Sequence, residues 1–310
     1  MRLDPADFYT GEGAEKVAAA QARFTLEEAR TPEDFAVVWA QLFAAFGPTG
    51  EIEREETLRS WFSGSRSPPD ADIRTTYHMV LARDRDGALA GVRDCFVTFS
   101  RRTLRSVVLL SHSLVLPLYR RSGLAAVLRT VPVPLARRTD PSEILLVAEM
   151  ELVDPAARDT VIRLLAYGKA GYAVIPPDAL PYAQPDFREP AGMTAGPVPL
   201  PFLLLVRQVG EEDRPTLSRA RALAMIEHMQ AIHSCHCHPA DLVPIRENAL
   251  RALDAYPRDE LPLLRATSVE AMEPLLQSVV LPLYPAPWRA PYTPGTPEAE
   301  RAALRATWSP

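Results

Sequence analysis

The chain has 310 residues, is 47% hydrophobic and 24% charged, and carries a formal net charge of −5. This is the composition of a globular protein with ample material for a core, and its negative balance argues against nucleic-acid binding as the main task. Apolar runs such as "FLLLV" (202–206) are too short to span a bilayer. The start "MRLDPADFYTGEG" has no apolar signal core, and the three cysteines have no framework spacing. The expectation is therefore a cytoplasmic protein with reduced thiols.

The first strand-like alternation is "ARFTLEEAR" (22–30). A helix follows over 31–47: Thr31 can cap it, Pro32 suits its first turn, and Glu33 and Asp34 suit its positive end. Phe35, Val38, Trp39, Leu42, Phe43 and Phe46 recur at helical spacing along it. A more polar helix covers 51–64 and ends at a glycine. Three strands come next. "TTYHMVLARD" (75–84) and "LAGVRDCFVTFS" (89–100) flank Asp86-Gly87, a hairpin signal. "LRSVVLLSHSLVLP" (104–117) reads as one long strand, apolar enough in its first half to be covered on both faces. Further on lie a buried strand at 143–152, a helix at 154–172 closing at Gly171, the short strand "YAVI", and a strand at 200–209.

Hairpins come first and crossover helices later. The predicted class is α/β with α+β character: a mixed, mostly antiparallel central sheet of about seven strands flanked by helices. Between its last two strands runs a proline-rich stretch, 176–199, with Tyr182, Phe187 and Arg188, and Tyr172 just before it, which reads either as a lid over a ligand site or as a plain surface connection. The 31 prolines of the chain concentrate after residue 175. From 211 to 310 the periodicity predicts helices at 216–233, 240–256, 267–284 and 296–308. The expected division is a domain at 1–210 and a proline-rich helical extension at 211–310, free to pack on the domain, cover a groove or form an oligomer interface.

The stretch that carries chemistry is "LPLYRRSGLAAVLRT" (116–130). Pro117 ends a strand, and the turn delivers free backbone N–H groups at the start of a helix. Gly123 tolerates positive φ and close backbone approach. Arg120 and Arg121 add charge. Ser122, Leu124 and Ala125 complete a turn suited to a phosphate or pyrophosphate. An ordinary strand-to-helix turn with solvated arginines is the alternative.

"SLVLPLYRRSGLA" resembles the motif of the GCN5-related N-acetyltransferase family, where a strand ending V-x-P-x-x-R continues as R/Q-x-x-G-x-G/A. Val115, Pro117, Arg120, Gly123 and Ala125 fit it. "AYGKAGY" (166–172) resembles the family's L-Y-E-K-x-G-F signature through Tyr167, Lys169, Gly171 and Tyr172. Ala125 replaces the commoner glycine, and Thr160 stands where an asparagine often begins the helix. The resemblance spans about residues 20–210 and the order of elements within them. It implies the acyl-CoA N-acyltransferase fold and transfer of an acetyl group from acetyl-CoA to an amine, on a small molecule, a peptide N-terminus or a lysine. It also implies pyrophosphate on the amides of Arg121 to Ala125, pantetheine along Leu114 and Val115, and Tyr167 as the acid for the departing thiolate.

That chemistry also needs a group to hold or deprotonate the amine. Glu149 and Glu151 lie two apart on one strand, hence on one face, and carboxylates inside "ILLVAEMEL" are costly unless paired or functional. His112 is the rival base. A non-catalytic acyl-CoA-binding module is the competing function. A third reading starts from "HMQAIHSCHCHP", which holds His228, His233, Cys235, His236, Cys237 and His238. Its spacing matches no zinc signature, so no metal is expected.

Overall fold

The computed structural model describes residues 1–9, 14–49, 51–64, 67, 71–186, 198–234, 237–293 and 295–307. The chain forms two compact units, and the division falls inside one strand, between Val147 and Ala148.

In the first unit, helix α1 (Ala14–Gln21) and strand β1 (Thr25–Glu28) precede helices α2 (Pro32–Phe46) and α3 (Glu55–Phe62). Strands β2 (Ile73–Arg83), β3 (Leu89–Ser100), β4 (Arg105–Leu109) and β5 (Ser113–Val115) follow, then helices α4 (Leu124–Thr130) and α5 (Pro132–Arg137) and the start of β6 (Glu143–Glu151). The strand order is β1-β2-β3-β4-β6, with β5 also on β3. All these pairs are antiparallel except β4 with β6. α2 starts as its residues dictate. Thr31 Oγ1 accepts from Asp34 N at 3.1 Å, and the Asp34 carboxylate accepts from Thr31 N, closing a capping box behind Pro32. Its inward stripe, Phe35, Val38 and Leu42, is fully buried, each such side chain contributing about 1.5–3 kcal/mol of transfer free energy.

The strand expected over 104–117 is broken at Leu110–His112. Asp94 on β3 supplies the reason. Its carboxylate accepts from His112 N at 2.6 Å, replacing a ladder bond, while Asp94 N donates to His112 O at 3.1 Å. Leu110 N has meanwhile turned to Val147 O at 2.8 Å. The backbone changes partner across three residues, and β5 continues on β3 alone among the named strands.

The second unit begins with the rest of β6. It continues with α6 (Arg158–Lys169), β7 (Ala173–Ile175), β8 (Tyr182–Gln184), β9 (Leu200–Gln208) and β10 (Thr216–Ser218). Helices α7 (Arg219–His233) and α8 (Pro239–Ala255), strand β11 (Glu260–Pro262), the short helices α9 (Gln277–Val280) and α10 (Ala286–Arg289), and α11 (Pro297–Thr307) complete it. The order there is β6-β9-β7, with β8 on β9; β7 and β8 both run antiparallel to β9. Thus the two units hold a mixed, mostly antiparallel α/β arrangement, as the order of elements predicts. Within 216–233 the first three residues are strand, paired with β11. The helix expected over 267–284 is broken into 3₁₀ and α segments, because Pro274 and Pro282 remove donors from its interior. α6 ends where Gly171 adopts φ +84°. At Gly168 a Cβ would lie 2.4 Å from Ala266 O, so this helix touches the C-terminal backbone directly.

Candidate active site

The turn 116–125 lies in the first unit. Leu116 N donates to Ala90 O at 2.9 Å, keeping the chain on β3 up to the proline. Pro117–Tyr119 is a single 3₁₀ turn, and the Tyr119 hydroxyl donates to Asp84 Oδ2 at 2.5 Å. Two residues then take left-handed backbone in alternation: Arg121 at φ +64° and Gly123 at φ +86°. The N–H group between them is bonded inside the turn, Ser122 N donating to Tyr119 O at 3.3 Å. A non-glycine residue held at positive φ is a strained position of the kind found at ligand sites. Leu124 N is satisfied by Ser122 Oγ at 3.3 Å. Among the described residues, the N–H groups of Arg121, Gly123 and Ala125 have no acceptor, and the exposed side chains of Arg120 and Arg121 have no ion-pair partner. Glycine at 123 has two physical reasons here: its φ, and Ala20 of α1, whose Cβ would lie 2.7 Å from an added Cβ. The contact with Ala20 has no signal in the sequence.

On β5, antiparallel alternation sends the N–H of Leu114 toward β3 and those of Ser113 and Val115 to the opposite edge. Of the two predicted pantetheine contacts, Val115 therefore offers its amide outward and Leu114 does not.

His112 sits in the strand break rather than within a strand, and is buried. Its Nδ1 lies 3.1 Å from both Asp94 carboxylate oxygens, and its Nε2 lies 3.0 Å from Glu51 O. Burial alone would lower its pKa. The Asp94 carboxylate more than compensates and lifts it to about 9, so the ring is cationic at neutral pH. Tyr77 donates to the same carboxylate at 2.7 Å.

Glu149 and Glu151 do share a face of β6, but their surroundings differ. Glu151 is one-third exposed and pairs with Arg163. Glu149 is buried. It accepts from the Tyr182 hydroxyl on β8 and from Gln184 Nε2 at 3.4 Å, and lies 3.5 Å from His233 Nε2 at the end of α7. Burial would raise the Glu149 pKa; the bond and charge of His233, then the Tyr182 bond, bring it below the usual carboxylate range. Tyr182 is pushed well above its ordinary value, first by burial and then by the Glu149 charge. Sequence reasoning missed the parts of Tyr182, Gln184 and His233 here. A histidine on the buried stripe of α7, in step with Met225 and Met229, is the one signal that was available.

Tyr167 lies on α6, half-buried, with its ring edge-on to Tyr172 at 5.1 Å. Thr160 lies in the first turn of α6, where its hydroxyl accepts from Asp154 N at 3.3 Å and has Ala157 O at 2.9 Å and Asp154 O at 3.2 Å within reach of its one proton. Phe187 and Arg188 of the candidate lid, and Cys235 and His236 of the cysteine–histidine run, lie outside the described residues. His228 and His233 are buried, and His238 caps α8 through Nδ1, which accepts from Ala240 N at 3.2 Å. Among the described residues, no three His, Cys, Asp or Glu side chains are grouped to hold a metal ion, and no helix is long and apolar enough to cross a membrane.

No protein-family model matches the chain, and no curated protein matches it. Solved structures similar to it include N-acetyltransferases. One is a GCN5-related glucosamine N-acetyltransferase region of a fungal multi-domain GH3 β-N-acetylglucosaminidase, at 18% identity and TM-score 0.37 over 52% of this chain. The match spans only 18% of that protein's length. A GCN5-related N-acetyltransferase from Kribbella flavida matches at 17% identity and TM-score 0.35, over 60% of this chain and 98% of that one. A spermidine N-acetyltransferase chimera from Vibrio cholerae and hSSAT matches at 11% identity and TM-score 0.38, over 62% and 99%. These likenesses are distant, and the assignment of chemistry rests on the chain's own turn at 116–125.

Proposed function

We propose that the chain is an N-acetyltransferase that moves an acetyl group from acetyl-CoA to a primary amine. The observation that carries this is the turn 120–125. Among the described residues it has two left-handed positions, three N–H groups without acceptors and two unpaired arginines, within a sequence resembling a pyrophosphate-binding motif. Those groups would hold the pyrophosphate of coenzyme A. The outward amide of Val115 would receive the pantetheine arm and polarise the thioester carbonyl. The acceptor's ammonium first releases a proton to solvent, the neutral amine nitrogen attacks that carbonyl carbon and gives up a second proton to solvent, the carbon–sulfur bond breaks, and the thiolate takes a proton. Tyr167, half-buried and with its hydroxyl bonded to no described residue, is assigned as the donor.

Glu149 is assigned to hold the ammonium form of the acceptor. A carboxylate whose proton affinity is lowered by His233 and Tyr182 is a poor base but a dependable negative charge. His112, cationic and engaged at both nitrogens, is not a free base at neutral pH. Saturating acetyl-CoA is expected to raise the melting temperature by about 5 °C or more, because binding to the native state stabilises it by mass action. No shift at millimolar acetyl-CoA would remove the cradle.

A further inference from the structure

The C-terminal part of the second unit contains an open surface pocket of about 410 Å³ that plays no part in the acetyl-transfer proposal. Its walls are largely aliphatic: Leu281, Pro282, Ala286, Ala290 and Pro297. Four residues with polar groups also line it, and three of these already have partners. Ser278 donates through both N and Oγ to Glu300 Oε2, at 3.0 and 2.8 Å. Gly295 N donates to Glu300 Oε1 at 3.2 Å. The Tyr292 hydroxyl donates to Pro201 O at 3.1 Å. These bonds also occupy both oxygens of Glu300.

The fourth is Arg289. Its Nε is buried without an acceptor, and among the described residues its guanidinium has neither hydrogen-bond acceptor nor ion-pair partner. A half-buried cation without a counter-charge is a standing cost to the fold, and an anion within its reach recovers it. The guanidinium fork matches a carboxylate in two parallel bonds. One cation calls for one negative charge, and aliphatic walls call for an alkyl chain. We propose that this pocket binds an aliphatic monocarboxylate, with its carboxylate on Arg289 and its chain against Leu281, Pro282, Ala286 and Ala290. The inference does not depend on the acetyltransferase assignment.

The test uses the full chain without acyl-CoA. Sodium hexanoate, hexan-1-ol and hexylammonium chloride are titrated at equal ionic strength, and binding is read by calorimetry. Hexanoate is expected to bind at least about tenfold more tightly than hexanol, the value of one good charge-assisted contact, and hexylammonium more weakly than either. Arg289→Gln should erase the advantage of hexanoate over hexanol, while Arg289→Lys should keep part of it. Equal binding of hexanoate and hexanol by the wild type would overturn the proposal without any variant. So would undiminished hexanoate binding by a folded Arg289→Gln protein.

Discussion

Replacing Arg120 and Arg121 together by alanine is expected to weaken coenzyme A binding by about ten- to a hundredfold. Each hydrogen bond from a cation to a phosphate is worth about 1.5–3 kcal/mol. Both side chains are exposed, so screening reduces that toward the lower end. The residual affinity comes from the backbone N–H groups, which the substitutions leave in place. The salt dependence should fall with the affinity, because the charges that produce it are gone. Neither arginine pairs with another described side chain, so the fold should be unaffected and the melting temperature without ligand should stay within about 1 °C of wild type. Calorimetric titration with coenzyme A at two ionic strengths checks both parts. Unchanged affinity with unchanged salt dependence would place the pyrophosphate elsewhere.

Replacing Tyr167 by phenylalanine is expected to lower the turnover rate at least about tenfold. General acid–base help is typically worth about 10²- to 10⁴-fold, and water can replace part of it. Phenylalanine keeps the ring and therefore the edge-on contact with Tyr172. The turn 120–125 is untouched, so the affinity for acetyl-CoA should hold. Steady-state kinetics with a good amine acceptor, alongside calorimetry, separates the two. Turnover within twofold of wild type would take Tyr167 out of the mechanism.

How far the sequence reveals the structure depends on the range of the forces involved. The capping box at Thr31 and the hairpin at Asp86-Gly87 involve residues four apart or fewer, and local chemistry decides them. The turn 120–125 is likewise local, and its residue types are visible. What was hidden is which of them bears the strain. A glycine rule points to Gly123 alone, whereas Arg121 is also left-handed. The strand break at Leu110–His112 was not legible, because its cause, Asp94, lies on another strand. An apolar run gives no sign that a buried carboxylate opposite will take over a ladder bond. The surroundings of Glu149 were out of reach for the same reason. Its partners come from β8 and α7, and His233 read as part of a metal-like run because sequence proximity was the only available grouping. The helix over 267–284 failed differently: its apolar spacing is real, but Pro274 and Pro282 outweigh it.

The central claim is acetyl transfer, and release of free thiol tests it most directly. Purified protein is incubated with acetyl-CoA and a panel of amines: aminoglycosides, polyamines, amino sugars, and peptides with free N-termini or lysines. Free coenzyme A is then measured against controls lacking acceptor and against Tyr167→Phe. The account predicts acceptor-dependent thiol release with at least one amine, reduced at least about tenfold in the variant. Tight acetyl-CoA binding with no thiol release above the acceptor-free control for any amine would contradict it, and would make the chain an acyl-CoA-binding module instead.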